Sequence, residues 1–159
     1  MKIGNKMIKI GQKAPKFNLS DETGNRVSLT DFTDKNIILY FYPKDDTPGC
    51  TKESIEFSQS KKEFELHDTV ILGVSKDSIK KHQKFITKHN LTVKLLVDES
   101  GSLCESYSVW KFKKFMGREY MGIERSTFLI DKNRTLMNIW RKVSVKGHVE
   151  EVLEAVKLL

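Results

Sequence analysis

The chain has 159 residues, 38% hydrophobic and 31% charged, with a formal net charge of +7. That length suffices for a sizeable core, and no apolar run approaches the roughly 20 residues that a membrane-spanning helix needs. Lys and Arg are scattered among Asp and Glu, which argues against a dedicated nucleic-acid surface.

The opening residues Met1-Lys2-Ile3-Gly4-Asn5-Lys6 lack the apolar stretch of a secretory signal. The two cysteines, Cys50 and Cys104, form no C-x-x-C pair. The expectation is a cytoplasmic protein with reduced thiols.

In chain order, Phe17-Asn18-Leu19 and Arg26-Val27-Ser28-Leu29 flank the turn cluster Asp21-Glu22-Thr23-Gly24-Asn25 and predict a hairpin. A short helical turn is expected at Thr30-Asp31-Phe32. Residues 37–42 are unbroken apolar and aromatic, the pattern of a central strand buried on both faces, and Pro43 ends it. From Cys50 to Leu66 the period turns helical: Cys50, Phe57 and Phe64 recur every seven residues and share one face. Thr69 to Ser75 reads as a second buried strand. Ser78 suits the N-cap of a helix with Ile79, His82 and Ile86 inward. Val93 to Val97 reads as a third strand, followed by a short helix around Ser102 to Tyr107. Trp110 to Gly122 shows no clean period and is expected as a loop or irregular hairpin. Arg125 to Ile130 and Leu136 to Trp140 flank the turn Asp131-Lys132-Asn133-Arg134, and a last helix turns Val149, Val152, Leu153 and Val156 inward. Strands alternating with helices and ending in a hairpin predict an α/β fold, a mixed sheet with helices on both faces. No repeat or linker interrupts it, so one domain is expected over residues 1–159.

The chemistry concentrates where the first long strand meets the first long helix. Cys50 stands at the helix entrance, where backbone N–H groups and the helix dipole favour negative charge. An ordinary thiol, with a pKa near ~8.5, is only a few per cent thiolate at neutral pH, and lowering it by about two units takes roughly 2.7 kcal/mol. A helix terminus offers up to ~2 kcal/mol of that, and a nearby guanidinium could supply the rest. Arg125, opening an apolar strand where a charge needs a partner, is the candidate. Thr47, three residues before Cys50, carries a hydroxyl that can both donate and accept. Pro43 and Pro48 stiffen the loop between strand and helix.

The spacing Pro43-x-x-x-Thr47-x-x-Cys50 resembles the active-site signature of the peroxiredoxins. The fuller run Phe41-Tyr42-Pro43-Lys44-Asp45-Asp46-Thr47-Pro48-Gly49-Cys50-Thr51 is similar to the bacterioferritin comigratory protein, or peroxiredoxin Q, subfamily. The stretches beginning at Gly11, Tyr107 and Arg125 extend the resemblance over nearly the whole chain. It implies a thioredoxin-like fold and a thiol-dependent peroxidase acting on hydrogen peroxide and organic hydroperoxides, with no metal, haem or flavin. Carried over by position, it makes Cys50 the nucleophile that becomes a sulfenic acid. Thr47 then orients the peroxide, Arg125 lowers the thiol pKa and stabilises charge in transfer, and Pro43 shields the sulfur. Backbone N–H groups near Gly49 and Cys50 bind the peroxide oxygens. The implied reductant is thioredoxin, glutaredoxin or a small thiol, and the implied state is a monomer with neither nucleic-acid nor membrane partners.

The chain departs from the subfamily pattern in one respect. Many members carry a resolving cysteine five residues after the first, and that position is Ile55 here; Ser78 to Asn90 holds none either. A one-cysteine enzyme is therefore expected, with Cys104 a buried structural thiol. Two alternatives stay open: resolution by Cys104, which requires Cα atoms within about 7 Å, and a redox-sensing protein that relays oxidation to partners. Glu53 is expected only to suit the helix dipole, Lys44, Asp45 and Asp46 to be solvated turn residues, and Trp110 and Phe115 to pack in the core. His67, His82, His89 and His148 show no metal-ligand spacing.

Overall fold

The computed structural model describes residues 8–159, so the opening residues read for a signal lie outside the described part. Strands β1 (Asn18–Asp21) and β2 (Arg26–Ser28) form the expected hairpin, closed by Asp21 Oδ1, which accepts from Thr23 N at 2.8 Å. A 3-10 turn (Leu29–Asp31) leads into β3 (Asn36–Phe41), buried at every position. Helix α1 (Pro48–Leu66), strand β4 (Thr69–Ser75) and helix α2 (Ile79–His89) follow. The Ser78 hydroxyl caps α2 by accepting from Lys81 N at 3.2 Å. The remaining elements are β5 (Lys94–Val97), α3 (Ser102–Ser106), β6 (Trp110–Phe115), β7 (Arg118–Ile123), β8 (Ser126–Ile130), β9 (Leu136–Trp140) and α4 (His148–Lys157).

Seven strands form one sheet in the order β2-β1-β5-β4-β3-β8-β9. β4 runs parallel to both β3 and β5, whereas β1 meets β5, and β8 meets β3, antiparallel. Alternation along β3 divides the core. Ile37, Leu39 and Phe41 pack on one face with Leu103, Cys104, Tyr107 and Phe128. Ile38, Tyr40 and Tyr42 pack on the other with Cys50, Phe57, Phe64, Phe85 and Val152. Helices α1, α2 and α4 thus share one face and α3 takes the other: the expected two-sided covering, unevenly distributed. The seven-residue repeat of Cys50, Phe57 and Phe64 does place all three on the buried face of α1. Each of the two phenylalanines contributes about 1.5–3 kcal/mol by leaving water.

The stretch from Trp110 departs from expectation. β6 and β7 make a regular hairpin with pairs from Trp110↔Ile123 to Phe115↔Arg118. Met116 (φ 50°) and Gly117 (φ 80°) turn it in the left-handed conformation that tight hairpins favour. The ladder is regular, yet it stands apart from the main sheet, so neither face demands alternation. Phe115, expected in the core, is exposed, while Trp110 is half-buried beneath the Lys76 ammonium. Among the described residues no helix is long and apolar enough to cross a membrane.

Candidate active site

The main chain leaves β3 at Tyr42, crosses the loop from Pro43 to Thr47, and enters α1 at Pro48, the position where a missing N–H costs nothing. Thr51 N donates to Thr47 O at 2.8 Å, opening the helical ladder. The N–H groups of Gly49 and Cys50 therefore have no intrahelical acceptor and offer two donors at the positive end of the helix.

Cys50 is 1% exposed. Arg125, just ahead of β8, reaches over this first turn and donates from Nη2 to Cys50 Sγ at 3.4 Å. Its Nη1 donates to Glu53 Oε1 at 2.8 Å. One planar guanidinium is thus shared between the sulfur and a carboxylate one turn further along α1. Space is tight beside them: a Cβ on Gly49 would lie 3.0 Å from Arg125 Nη2, so the guanidinium would have to shift to admit it. Burial works against the charge on Arg125, but Glu53 and Cys50 hold its pKa above the ordinary value.

Glu53, expected only to suit the helix dipole, is buried in full, and its Oε2 has no hydrogen-bond partner among the described residues. Burial pushes its pKa up to about 7, opposed by Arg125 and reinforced by Glu56. An acid with a raised folded pKa binds its proton more tightly when folded, so its contribution is complete below 4.5 and is lost as pH rises through about 7. Thermal unfolding of the wild type should therefore lose a component of stability across that window. Glu53→Gln should flatten it; an identical pH–Tm curve for the two proteins contradicts the assignment.

His148, the first residue of α4, meets Thr127 Oγ1 through Nε2 at 2.8 Å. Burial, with the positive charge of Arg125, lowers its pKa to about 4, so the imidazole is neutral beside the guanidinium. Lys113, midway along β6, is held below its ordinary value by burial and by the positive charge of Arg125, so the β6–β7 hairpin borders the site.

Thr47 is the backbone N-cap of α1, but its hydroxyl makes no capping bond and donates to Lys44 O at 2.8 Å. Its oxygen remains able to accept. Pro43 is exposed at the start of the loop, where its ring fixes the direction of the chain leaving β3. The structure brings Cys50 and Arg125 into contact, and sets Thr47 at the head of the same helix.

Asp45 corrects another expectation. It is no solvated turn residue: it is buried, takes the Tyr42 hydroxyl on Oδ1 at 2.6 Å, and meets His82 Nδ1 with Oδ2 at 2.6 Å. Asp46, next in the loop, is exposed and pairs with Lys88 and His89 of α2. Asp45, Asp77 and His82 bring three potential metal-ligand atoms within 4.8 Å of one another, but their bonds to each other and to Ser75 account for the cluster.

Cys104 lies in the core on the opposite side of the sheet from Cys50. Burial, with Asp98 adding to it, pushes its pKa far above the ordinary thiol range, so it stays protonated.

The family model described as AhpC/TSA family matches residues 10–139. The chain belongs to the AhpC/TSA family. Within it, the chain is 56% identical to Peroxiredoxin Bcp of Bacillus subtilis over 150 residues, covering 94% of this chain and 96% of that protein. It is similar to the crystal structure of a cysteine-to-serine mutant of Xylella fastidiosa PrxQ, with a TM-score of 0.91 and 38% identity over 96% of this chain and 98% of the other. A Xanthomonas campestris bacterioferritin comigratory protein, whose structures concern alkyl peroxide reduction, gives a TM-score of 0.85 at 39% identity over 89% and 90% of the two chains. The thioredoxin-like peroxiredoxin fold expected from the loop signature is therefore the fold of this AhpC/TSA member.

Sequence reasoning left out Glu53 and His148. A signal for Glu53 existed: the repeat that turns Cys50 and Phe57 inward also turns inward the positions three and four residues after Cys50, which are Glu53 and Ser54. No comparable pattern marks His148, whose partners Phe57, Thr127 and Trp140 come from α1, β8 and β9.

Proposed function

We propose that the chain is a peroxiredoxin that reduces hydrogen peroxide and organic hydroperoxides through Cys50 and is regenerated by an external thiol. The observation that carries this reading is the Arg125 guanidinium laid against Cys50 Sγ at 3.4 Å over the start of α1. The Cys50 thiolate attacks the terminal peroxide oxygen, the O–O bond breaks, and the sulfur gives up two electrons: Cys50-S⁻ + ROOH + H⁺ → Cys50-SOH + ROH. Arg125 and the free N–H groups of Gly49 and Cys50 meet the charge as it moves from sulfur to oxygen. Thr47, its proton committed to Lys44, accepts from the hydroperoxide O–H, and Pro43 shapes the entrance. A nucleophile on a residue 1% exposed suits a small reacting group at the end of its molecule, as an –OOH group is.

Regeneration takes two thiols. Cys50-SOH + R′SH gives Cys50-S-SR′ + H₂O, and a second R′SH releases Cys50-SH and R′SSR′. The separation of Cys104 across the sheet supports a one-cysteine cycle with thioredoxin, glutaredoxin or a small thiol as donor. Cys104→Ala should retain wild-type turnover with dithiothreitol, and mass spectra of the oxidised wild type should show no Cys50–Cys104 bridge; such a bridge reverses the reading. Availability of reduced thiols places the enzyme in the cytoplasm in this proposal, as a one-domain monomer, which light scattering tests.

The test of the function is peroxide loss catalysed by the wild type with each of the three reductant classes. Catalysis with any of them supports the reading. Oxidation of Cys50 without turnover, accompanied by mixed disulfides to partner proteins, favours the redox relay instead.

A further inference from the structure

The loop that presents Cys50 is held at one residue, Asp45, by bonds from several directions. Its backbone N donates to Asp77 Oδ2 at 2.8 Å, an oxygen that also accepts from Ser75 Oγ at 2.7 Å. Its Oδ1 accepts from Tyr42 at 2.6 Å, and its Oδ2 meets His82 Nδ1 at 2.6 Å. His82 Nε2 in turn faces the Leu96 carbonyl of β5 at 2.9 Å. The loop is thereby anchored to β3, to the end of β4, and through α2 to β5. Asp46 adds only exposed pairs, which contribute little.

The His82 ring faces two acceptors, a carbonyl and a carboxylate. A neutral imidazole has one N–H and satisfies one of them; the imidazolium satisfies both. The groups facing it are Asp45 from the loop, the Asp77 carboxylate beyond β4 and the Leu96 carbonyl from β5, with Tyr42 behind Asp45. Burial disfavours the cation, but the bonds to Asp45 and Leu96 and the charge of Asp77 outweigh it and raise the pKa above 6.5. A base with a raised folded pKa gives a contribution that is complete below its unfolded value and is lost as pH rises through the folded one.

Resting on the peroxidase reading, the second half-reaction makes a demand that the resting geometry cannot meet. A reductant sulfur must come within about 2 Å of Cys50 Sγ, and that atom belongs to a residue 1% exposed. The first turn of α1 and the loop before it must lift. We propose that the Asp45–His82 pair is a clamp that positions the Cys50 loop for the peroxide step and restrains its opening for the reductant step. Both are positioning residues, acting through the loop and touching neither substrate.

The clamp predicts effects of opposite sign on the two half-reactions, which general destabilisation does not produce. In single-turnover measurements His82→Gln slows oxidation of the reduced protein by hydrogen peroxide about tenfold. It speeds reduction of the pre-oxidised protein by dithiothreitol about tenfold, the scale of one charge-assisted hydrogen bond. Asp45→Asn shifts both in the same directions, and the double variant is no worse than the stronger single one. The wild-type-to-variant ratios narrow as pH rises through the raised His82 pKa, because the neutral imidazole then keeps a single N–H for its two acceptors. Should the single variants fail to fold by leaving one buried charge unpaired, Asp45→Ala/His82→Leu removes both charges and should fold; it carries the same expected pair of opposite shifts. Half-reactions that slow together, that both stay unchanged, or whose ratios are flat with pH overturn the clamp. A wild type that consumes no peroxide overturns the peroxidase reading itself, whereas an active wild type with unaffected variants overturns the clamp alone.

Discussion

Cys50→Ser should lower peroxide consumption to that of the reductant alone, a loss of more than about 10³-fold. The change swaps sulfur for oxygen and little else. Serine suits the first turn of a helix, and its hydroxyl can still accept from Arg125, so the site should keep its shape. What disappears is an atom that can become an anion and take an oxygen by giving up two electrons. Arg125 and the helix entrance cannot compensate, because they stabilise charge and supply no electrons. The measurement is peroxide loss with dithiothreitol, run beside Cys104→Ala as the other thiol's control. Unchanged consumption by Cys50→Ser would move the nucleophile elsewhere, and the only other cysteine is buried across the sheet with its proton held tightly.

Much of this is legible in the sequence, for a physical reason. Residues 37–42 could be read as a central strand because a segment buried on both sides must be apolar at every position, and β3 is buried throughout. The face of α1 could be read because Cys50, Phe57 and Phe64 lie two turns apart. Trp110 to Gly122 could not, because a hairpin standing off the main sheet has no buried face to impose alternation on its side chains. The site divides similarly. Cys50 and Thr47 are neighbours in sequence and carry their geometry with them. Arg125 was placed by its charge at the head of an apolar strand, and the antiparallel pairing of β8 with β3 brings it home. Asp45 looked like a solvated turn residue because its partners, Asp77 and His82, come from other elements. In a loop without a repeat, burial is decided by what folds over the residue, and the segment itself holds no record of that.

Arg125→Ala should reduce the peroxide-dependent rate about 10²–10³-fold, the range for removing one preorganised donor to a charge in transfer. The loss should fall on the oxidation half-reaction, since the guanidinium touches the attacking sulfur. Arg125→Lys should recover little of it: bridging Sγ at 3.4 Å and Glu53 Oε1 at 2.8 Å takes two divergent N–H groups on a rigid plane, and an ammonium is a single point of charge. Breaking a buried ion pair ordinarily costs about 3–5 kcal/mol, because it strands a charge. Here the stranded partner has a way out. Arg125 is what holds the Glu53 pKa down to about 7, so without it Glu53 keeps its proton at neutral pH and is buried uncharged. The variant should therefore stay folded while losing its rate, and its stability should decline on going from neutral to alkaline pH as Glu53 is forced to ionise without a partner. Adding Glu53→Gln should remove that alkaline decline and leave the rate low. A double variant that regains peroxide turnover would show that Arg125 serves to neutralise Glu53 and takes no part in the reaction at sulfur.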